Sequence, residues 1–175
     1  KISMSKTAEV ADLALSLKEK GHKVVNMASG ELSFKPDLSI RKEACRVINE
    51  GETLYTQVAG LNELRQLISV KLKKDIDIEY RADEIIVSNG GKQVIYNALR
   101  STINKGDEII LISPYWVSYP EIIKLCGGKP KVLHTKRKEG FSINTERLEK
   151  LITSKTKWII LNSPNNPTGV VYSLE

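Results

Sequence analysis

Three short stretches of this sequence combine residue types able to hold a flat, charged ligand. Asn162-Ser-Pro-Asn-Asn-Pro-Thr-Gly169 follows the apolar run Trp158 to Leu161, which reads as a buried strand. Two prolines and a glycine cannot continue a strand or a helix, so the chain turns there and presents amide side chains at a strand end. In open α/β sheets ligands bind at that end, although Asn-Pro-Thr-Gly alone is also an ordinary polar turn. Ser88-Asn-Gly-Gly-Lys92 also follows an apolar run, and it opens a helix. Its glycines allow close approach to the backbone, and the helix start offers free N–H groups to an anion. It is neither Gly-x-x-x-x-Gly-Lys-Ser/Thr nor Gly-x-Gly-x-x-Gly, and plain strand-to-helix turns share its composition. Ser113-Pro-Tyr-Trp-Val-Ser-Tyr-Pro120 follows a third run. Pro114 stiffens the exit, and Trp116 either meets a planar ring by offset stacking or fills the core. Phosphate donors, a stacking ring and an amide at three strand ends together describe a pocket for a flat phosphorylated cofactor.

Those turns need a scaffold, and the hydrophobic periodicity supplies one. Helices are expected over 7–20, capped by Ser5 or Thr7 and stopped by Gly21, and over 39–50, stopped by Gly51. A third helix follows the loop Tyr55 to Gly60 and carries Leu61, Leu64, Leu67, Ile68 and Leu72 on one side. Further helices are expected over 92–103, 118–126 and 145–152, the last capped by Asn144. Strands are expected over 24–28, 85–88, 109–112, 131–134 and 158–161, with a turn at Ser29-Gly30-Glu31. From residue 84 onward strands alternate with helices, which means an α/β fold with a mostly parallel sheet flanked by helices. Two prolines three residues apart in a turn that must deliver an amide predict that Ser163–Pro164 or Asn166–Pro167 is cis.

Composition narrows the function classes. The chain has 175 residues, 41% of them hydrophobic, and a net charge of +6. No apolar run approaches the roughly 20 residues of a membrane span. The first residues lack the apolar stretch of a signal peptide, and the two cysteines, Cys45 and Cys126, have no metal-type spacing. Both cysteines lie among apolar residues of expected helices, so buried free thiols and a reducing cytoplasm are expected. The lysine clusters at 71–74 and 136–138 contain no aromatics, which argues against a nucleic-acid partner.

In order and at matching spacing, four motifs resemble the class I aminotransferases: Tyr55-Thr-x-x-Ala-Gly-x-x-Glu-Leu-Arg65, Ser88-Asn-Gly-Gly-Lys-Gln93, Pro114 to Pro120 and Asn162 to Gly169. The aspartate aminotransferase subgroup is the most similar. The resemblance implies the fold-type I pyridoxal phosphate transferase architecture and pyridoxal 5'-phosphate as cofactor. Residues 1–29 would be an N-terminal arm and helix of the small domain, and 30–175 the first part of the large cofactor-binding domain. It further implies that Gly90, Gly91 and Lys92 take the cofactor phosphate, that Trp116 stacks on its ring and that Asn166 bonds its phenolic oxygen. Gly30, with Trp116 and Asn166, would face the substrate, all in one pocket, and Tyr55 would reach the cofactor of a neighbouring subunit in a homodimer. Substrates would be an amino acid and a 2-oxo acid.

Two departures from the family stand out. Where it has Gly-Glu-Pro-Asp-Phe, this chain has Gly30-Glu-Leu-Ser-Phe34, so a substrate-touching loop lacks its proline. The Schiff-base lysine, the acidic partner of the ring nitrogen and the substrate arginine lie, in the family, after the Asn-Pro-Thr-Gly turn, so no catalytic residue of that kind is assigned here. These 175 residues by themselves are therefore expected to show no transaminase turnover. The alternative is a non-catalytic truncated or split-gene remnant that needs another chain. A nucleotide-binding domain built on Gly90-Gly91 would leave Trp116 and Asn166 unexplained.

Overall fold

The structure, a computed structural model, describes residues 6–28, 30 and 32–173. The Ser5 cap and most of the turn expected at 29–31 fall outside these residues. The chain divides into two compact units, Gly30–Gly91 and the combination of Lys1–Ser29 with Lys92–Glu175.

In the second of these units, strands β1 (Glu108–Ser113), β2 (Lys129–His134) and β3 (Thr156–Ile160) form a parallel sheet in the order β2-β1-β3. The central strand reads Glu-Ile-Ile-Leu-Ile-Ser and is buried at every interior position. A parallel strand covered on both faces needs such a continuous apolar run rather than an alternating one. Its odd and even residues serve different cores. Ile109 and Leu111 pack with Leu99 and Ile103 from α4 (Gly91–Thr102) and its end, and with Tyr119, Ile122 and Ile123 from α5 (Ser118–Leu125). Ile110 and Ile112 pack on the other face with Leu133 and with Leu148 and Leu151 of α6 (Thr145–Leu151). The result is three layers, helix on sheet on helix. Asn144 caps α6 as expected, its side chain accepting from the Arg147 N–H at 2.8 Å. At the sheet's other edge the Trp158 indole N–H donates to Thr102 Oγ1 at 3.0 Å and pins β3 to α4. This unit also carries α1 (Lys6–Glu19).

The unit Gly30–Gly91 contains α2 (Leu38–Asn49), α3 (Asn62–Ile76) and a short 3-10 turn over Ala82–Glu84. Asp37, whose side chain accepts from the Ser39 N–H at 2.8 Å, caps α2. Arg65 of α3 gathers the loops around it. Its guanidinium donates to the Ala82 carbonyl at 3.1 Å and to Gln57 Oε1 at 2.9 Å. The loop ahead of α3 is fixed again where the Val87 N–H donates to the Ala59 carbonyl at 3.0 Å. Gly60, at φ +97°, leaves no room for a side chain: a Cβ there would stand 2.9 Å from Val87 Cβ.

Three expectations are corrected. Residues 24–28 and 85–88 form no strand. A strand exists only with a ladder partner, and the sheet of the described residues consists of β1, β2 and β3 alone. Val25, Met27 and Ile86 accordingly stay exposed. Cys45 is exposed rather than buried, because α2 has no buried residue and leaves Ile40 and Ile48 exposed as well. Cys126 is buried as expected.

Two outcomes follow for the helix-flanked sheet and its thiols. A Cβ on Gly128 would stand 2.6 Å from Ile109 Cδ1 and 2.9 Å from Ile103 Cδ1. Gly128→Ala therefore overpacks the core and is expected to cost about 1–3 kcal/mol, read as a lowered urea midpoint; an unchanged midpoint contradicts this packing. Burial pushes the Cys126 thiol up, with the Arg100 charge opposing. In the folded chain iodoacetamide should label Cys45 and spare Cys126 until denaturant is added, and equal labelling of both would show the core to be open.

Candidate cofactor site

The carboxyl ends of β1 and β3 face the same end of the sheet because the strands are parallel. The order β2-β1-β3 means that the chain runs out to β2 and returns past β1, so the reversal lies between β1 and β3. Doubly wound sheets bind ligands at that point. Both turns with candidate residues, Pro114 to Pro120 and Asn162 to Gly169, leave the sheet there.

The β1 exit holds Trp116. The Ser113–Pro114 bond is cis, and the Thr135 hydroxyl just past β2 donates to the Ser113 carbonyl. Trp116 is half-buried against the core on the α4–α5 face. Tyr119 meets it edge-on, with centroids 5.4 Å apart and planes at 89°. The Tyr119 N–H donates to the Trp116 carbonyl at 3.0 Å, so the first turn of α5 fixes the indole's backbone. The Lys92 ammonium lies 5.2 Å from the Trp116 ring centroid, within cation–π range. The structure thus brings together Lys92, from the start of α4, and Trp116.

The β3 exit is wired by its own side chains. Both Ser163–Pro164 and Asn166–Pro167 are cis, in line with the sequence expectation. Asn162 Oδ1 accepts from the Asn166 N–H at 2.8 Å. The Gly169 N–H donates to the Asn165 carbonyl at 2.7 Å, and the Asn165 N–H to the Val170 carbonyl at 2.8 Å. Asn165, only 7% exposed, turns its side chain inward. Its Nδ2 donates to the Pro114 carbonyl at 3.0 Å and to Thr168 Oγ1 at 2.7 Å. Asn166 points the other way: it is exposed, and its side-chain amide makes no hydrogen bond among the described residues.

The remaining sequence candidates lie in the other unit. Gly90, at φ +84°, turns the chain into α4, with its N–H donating to the Ser88 carbonyl at 2.8 Å. A Cβ built on Gly90 or Gly91 meets no atom within 4 Å, so neither glycine is crowded. Tyr55 is fully exposed on its loop, and Gly30 is exposed as well. Sequence reasoning missed Asn165, Asn162, Thr168 and Arg65. The family resemblance singled out Asn166 from the Asn165-Asn166 pair, but no sequence signal gave the inward turn of Asn165, which depends on the distant Pro114 carbonyl.

A parallel sheet flanked by helices on both faces matches the fold of the pyridoxal phosphate-dependent aminotransferases. The chain belongs to the aminotransferase class I and II family, whose pattern matches residues 22–175. It is 43% identical over 173 residues to a probable aspartate/prephenate aminotransferase of Rhizobium leguminosarum bv. phaseoli, covering 99% of this chain and 43% of that protein. It is 42% identical to an aspartate aminotransferase of Bacillus subtilis over 174 residues, covering 99% of this chain and 44% of that protein. Among solved structures it is similar to the aspartate aminotransferase from Thermus thermophilus with maleate: TM-score 0.95, 38% identity, 99% of this chain and 45% of the other. The chain spans less than half the length of these relatives. Among its described residues no helix is long and apolar enough to cross a membrane.

Burial holds the Tyr119 phenol above its ordinary value of 10.0, and the same cause raises Tyr172. A raised phenol favours the neutral form in the fold. Its contribution to stability is therefore complete below the unfolded value and is lost as pH rises through the folded one. In an ultraviolet titration these two tyrosines are expected to ionise after the exposed ones. Tyr119→Phe should remove one of the two late transitions, and a variant with both still present would misplace the ring beside Trp116.

Proposed function

We propose that this chain is the cofactor-binding part of a pyridoxal-phosphate-dependent aminotransferase of the aspartate type, which moves an amino group between an amino acid and a 2-oxo acid. The observation that carries the reading is the joining of the Trp116 turn to the Asn166 turn at the sheet's reversal point, through the hydrogen bond from Asn165 to Pro114. The donor set suits the group chemically. The uncrowded Gly90-Gly91 backbone and a lysine at the head of α4 match a phosphate, the Trp116 face matches a pyridine ring, and the unengaged Asn166 amide matches a phenolic oxygen.

When bound, pyridoxal phosphate supplies an electron sink for a carbanion at the substrate's α-carbon. This chain's residues bind and orient. Gly90, Gly91 and Lys92 would hold the phosphate as a fixed anchor. Trp116 would fix the ring plane by stacking. Asn166 would donate its amide proton to the phenolic oxygen and stabilise negative charge there. Gly30 would present backbone to the substrate carboxylate. Tyr55 would serve the site of a second subunit in a homodimer, which fits its full exposure. The cytoplasmic setting and a role in amino acid metabolism belong to the same reading. So does the assignment of 1–29 to a small domain and of 30–175 to the first part of the large one.

Equilibrium dialysis with pyridoxine 5'-phosphate tests the reading. This probe keeps the ring and phosphate but has no aldehyde to react with surface lysines. It should bind the chain, and Trp116→Ala and Asn166→Ala should each weaken binding roughly tenfold, the scale of one stacking contact or one hydrogen bond. Equal binding by all three proteins would overturn the assignment.

A further inference from the structure

The two candidate residues of the sheet's reversal point do not touch each other through any bond of their own. What connects their turns is Asn165. Its Nδ2 donates to the carbonyl of Pro114, two residues before Trp116, and its backbone leads directly into Asn166. The same nitrogen donates to Thr168 Oγ1, which in turn accepts from the Val170 N–H at 3.3 Å. Both protons of the amide are thus committed, one to each turn. The residue is 7% exposed, the only buried polar or charged residue among those described. Among the described residues no other hydrogen bond joins the two turns: Asn162 and Ser163 bond within the β3 exit, to the Asn166 and Tyr172 N–H groups.

We propose that Asn165 is a positioning residue, whose amide sets the spacing between the Trp116 ring and the Asn166 side chain and so holds both in reach of one flat ligand. This rests on the cofactor-binding reading above. The chemistry explains why an amide is needed. The group across the gap is the Pro114 carbonyl, an acceptor, so the bridging side chain must donate; its second proton goes to Thr168 Oγ1 inside the β3 exit. An ionised carboxylate of the same shape has no proton to give and would repel the Pro114 carbonyl. A hydrophobic residue would leave that carbonyl buried without a partner.

The test uses Asn165→Asp, which preserves volume and removes the donor, in a Trp158→Phe background so that Trp116 is the sole tryptophan. The first arm measures pyridoxine 5'-phosphate by dialysis. A loss of about tenfold, equivalent to about 1.4 kcal/mol, is expected for Asn165→Asp. Adding Asn166→Ala to Asn165→Asp should cost little more, because the tie acts through that side chain. The second arm needs no ligand and measures iodide quenching of Trp116. A freed β1 exit should make Trp116 more accessible in Asn165→Asp than in its parent. Thr168→Val, which removes one of the two acceptors and leaves the bond to Pro114, should quench as the parent does. Lowered thermal stability with unchanged affinity and unchanged quenching would make Asn165 merely structural and overturn the proposal. Failure of the parent to bind the probe would overturn the cofactor reading, while the quenching arm still decides whether Asn165 holds the two turns together.

Discussion

The constraint on which the sheet and its site depend is the complete burial of β1. Ile109, Ile110 and Leu111 have no exposed surface. Each such side chain stabilises the fold by roughly 1.5–3 kcal/mol relative to exposure. The strand pairs on both edges, with β2 from Glu108↔Lys129 to Ser113↔His134 and with β3 from Ile109↔Trp158 to Leu111↔Ile160. Sliding it by one residue would exchange the residues serving the two cores. Register, layer order and the direction of the exits therefore follow from this one strand. Trp116 stands where it does because Ser113 ends that strand.

At the exits the division of labour is between side chains that build the turn and side chains that the turn presents. Asn162, Asn165 and Thr168 spend their hydrogen-bonding capacity on backbone and on each other. They replace the ladder bonds that a proline-rich segment cannot make. Asn166 is left over and faces outward. Trp116 is treated the same way: its backbone is fixed by α5 and its ring rests on the core, with Lys92 near its face. A rigid support that leaves one functional group unspent is what a binding site for a flat ligand requires.

The unit Gly30–Gly91 is held differently. Its described residues form no strand, and its two long helices have no buried residues. Its organisation rests on polar contacts around Arg65 and on the close approach of Gly60 to Val87. Arg65 is the last residue of the Tyr55 motif, and its forked guanidinium reaches the Gln57 side chain and the Ala82 carbonyl together.

Much of this was legible in the sequence because it depends on short-range pattern. Continuous apolar runs with turn residues at their ends marked β1, β2 and β3, helical periodicity marked the six helices of the described residues, five of them to within one residue at each end, and Asn144 marked its own cap. The ordered motifs gave the family, and the prolines gave the cis turn. The three-dimensional fold decided what depends on partners distant in the chain. Residues 24–28 and 85–88 have strand-like composition, but a strand needs a neighbour, and among the described residues they pair with none. Cys45 and Cys126 both sit on apolar helix stretches, and only packing separates the exposed thiol from the buried one. Asn165 and Asn166 are chemically identical in the sequence. The carbonyl of Pro114, fifty-one residues away, turns one of them inward and leaves the other to meet a ligand.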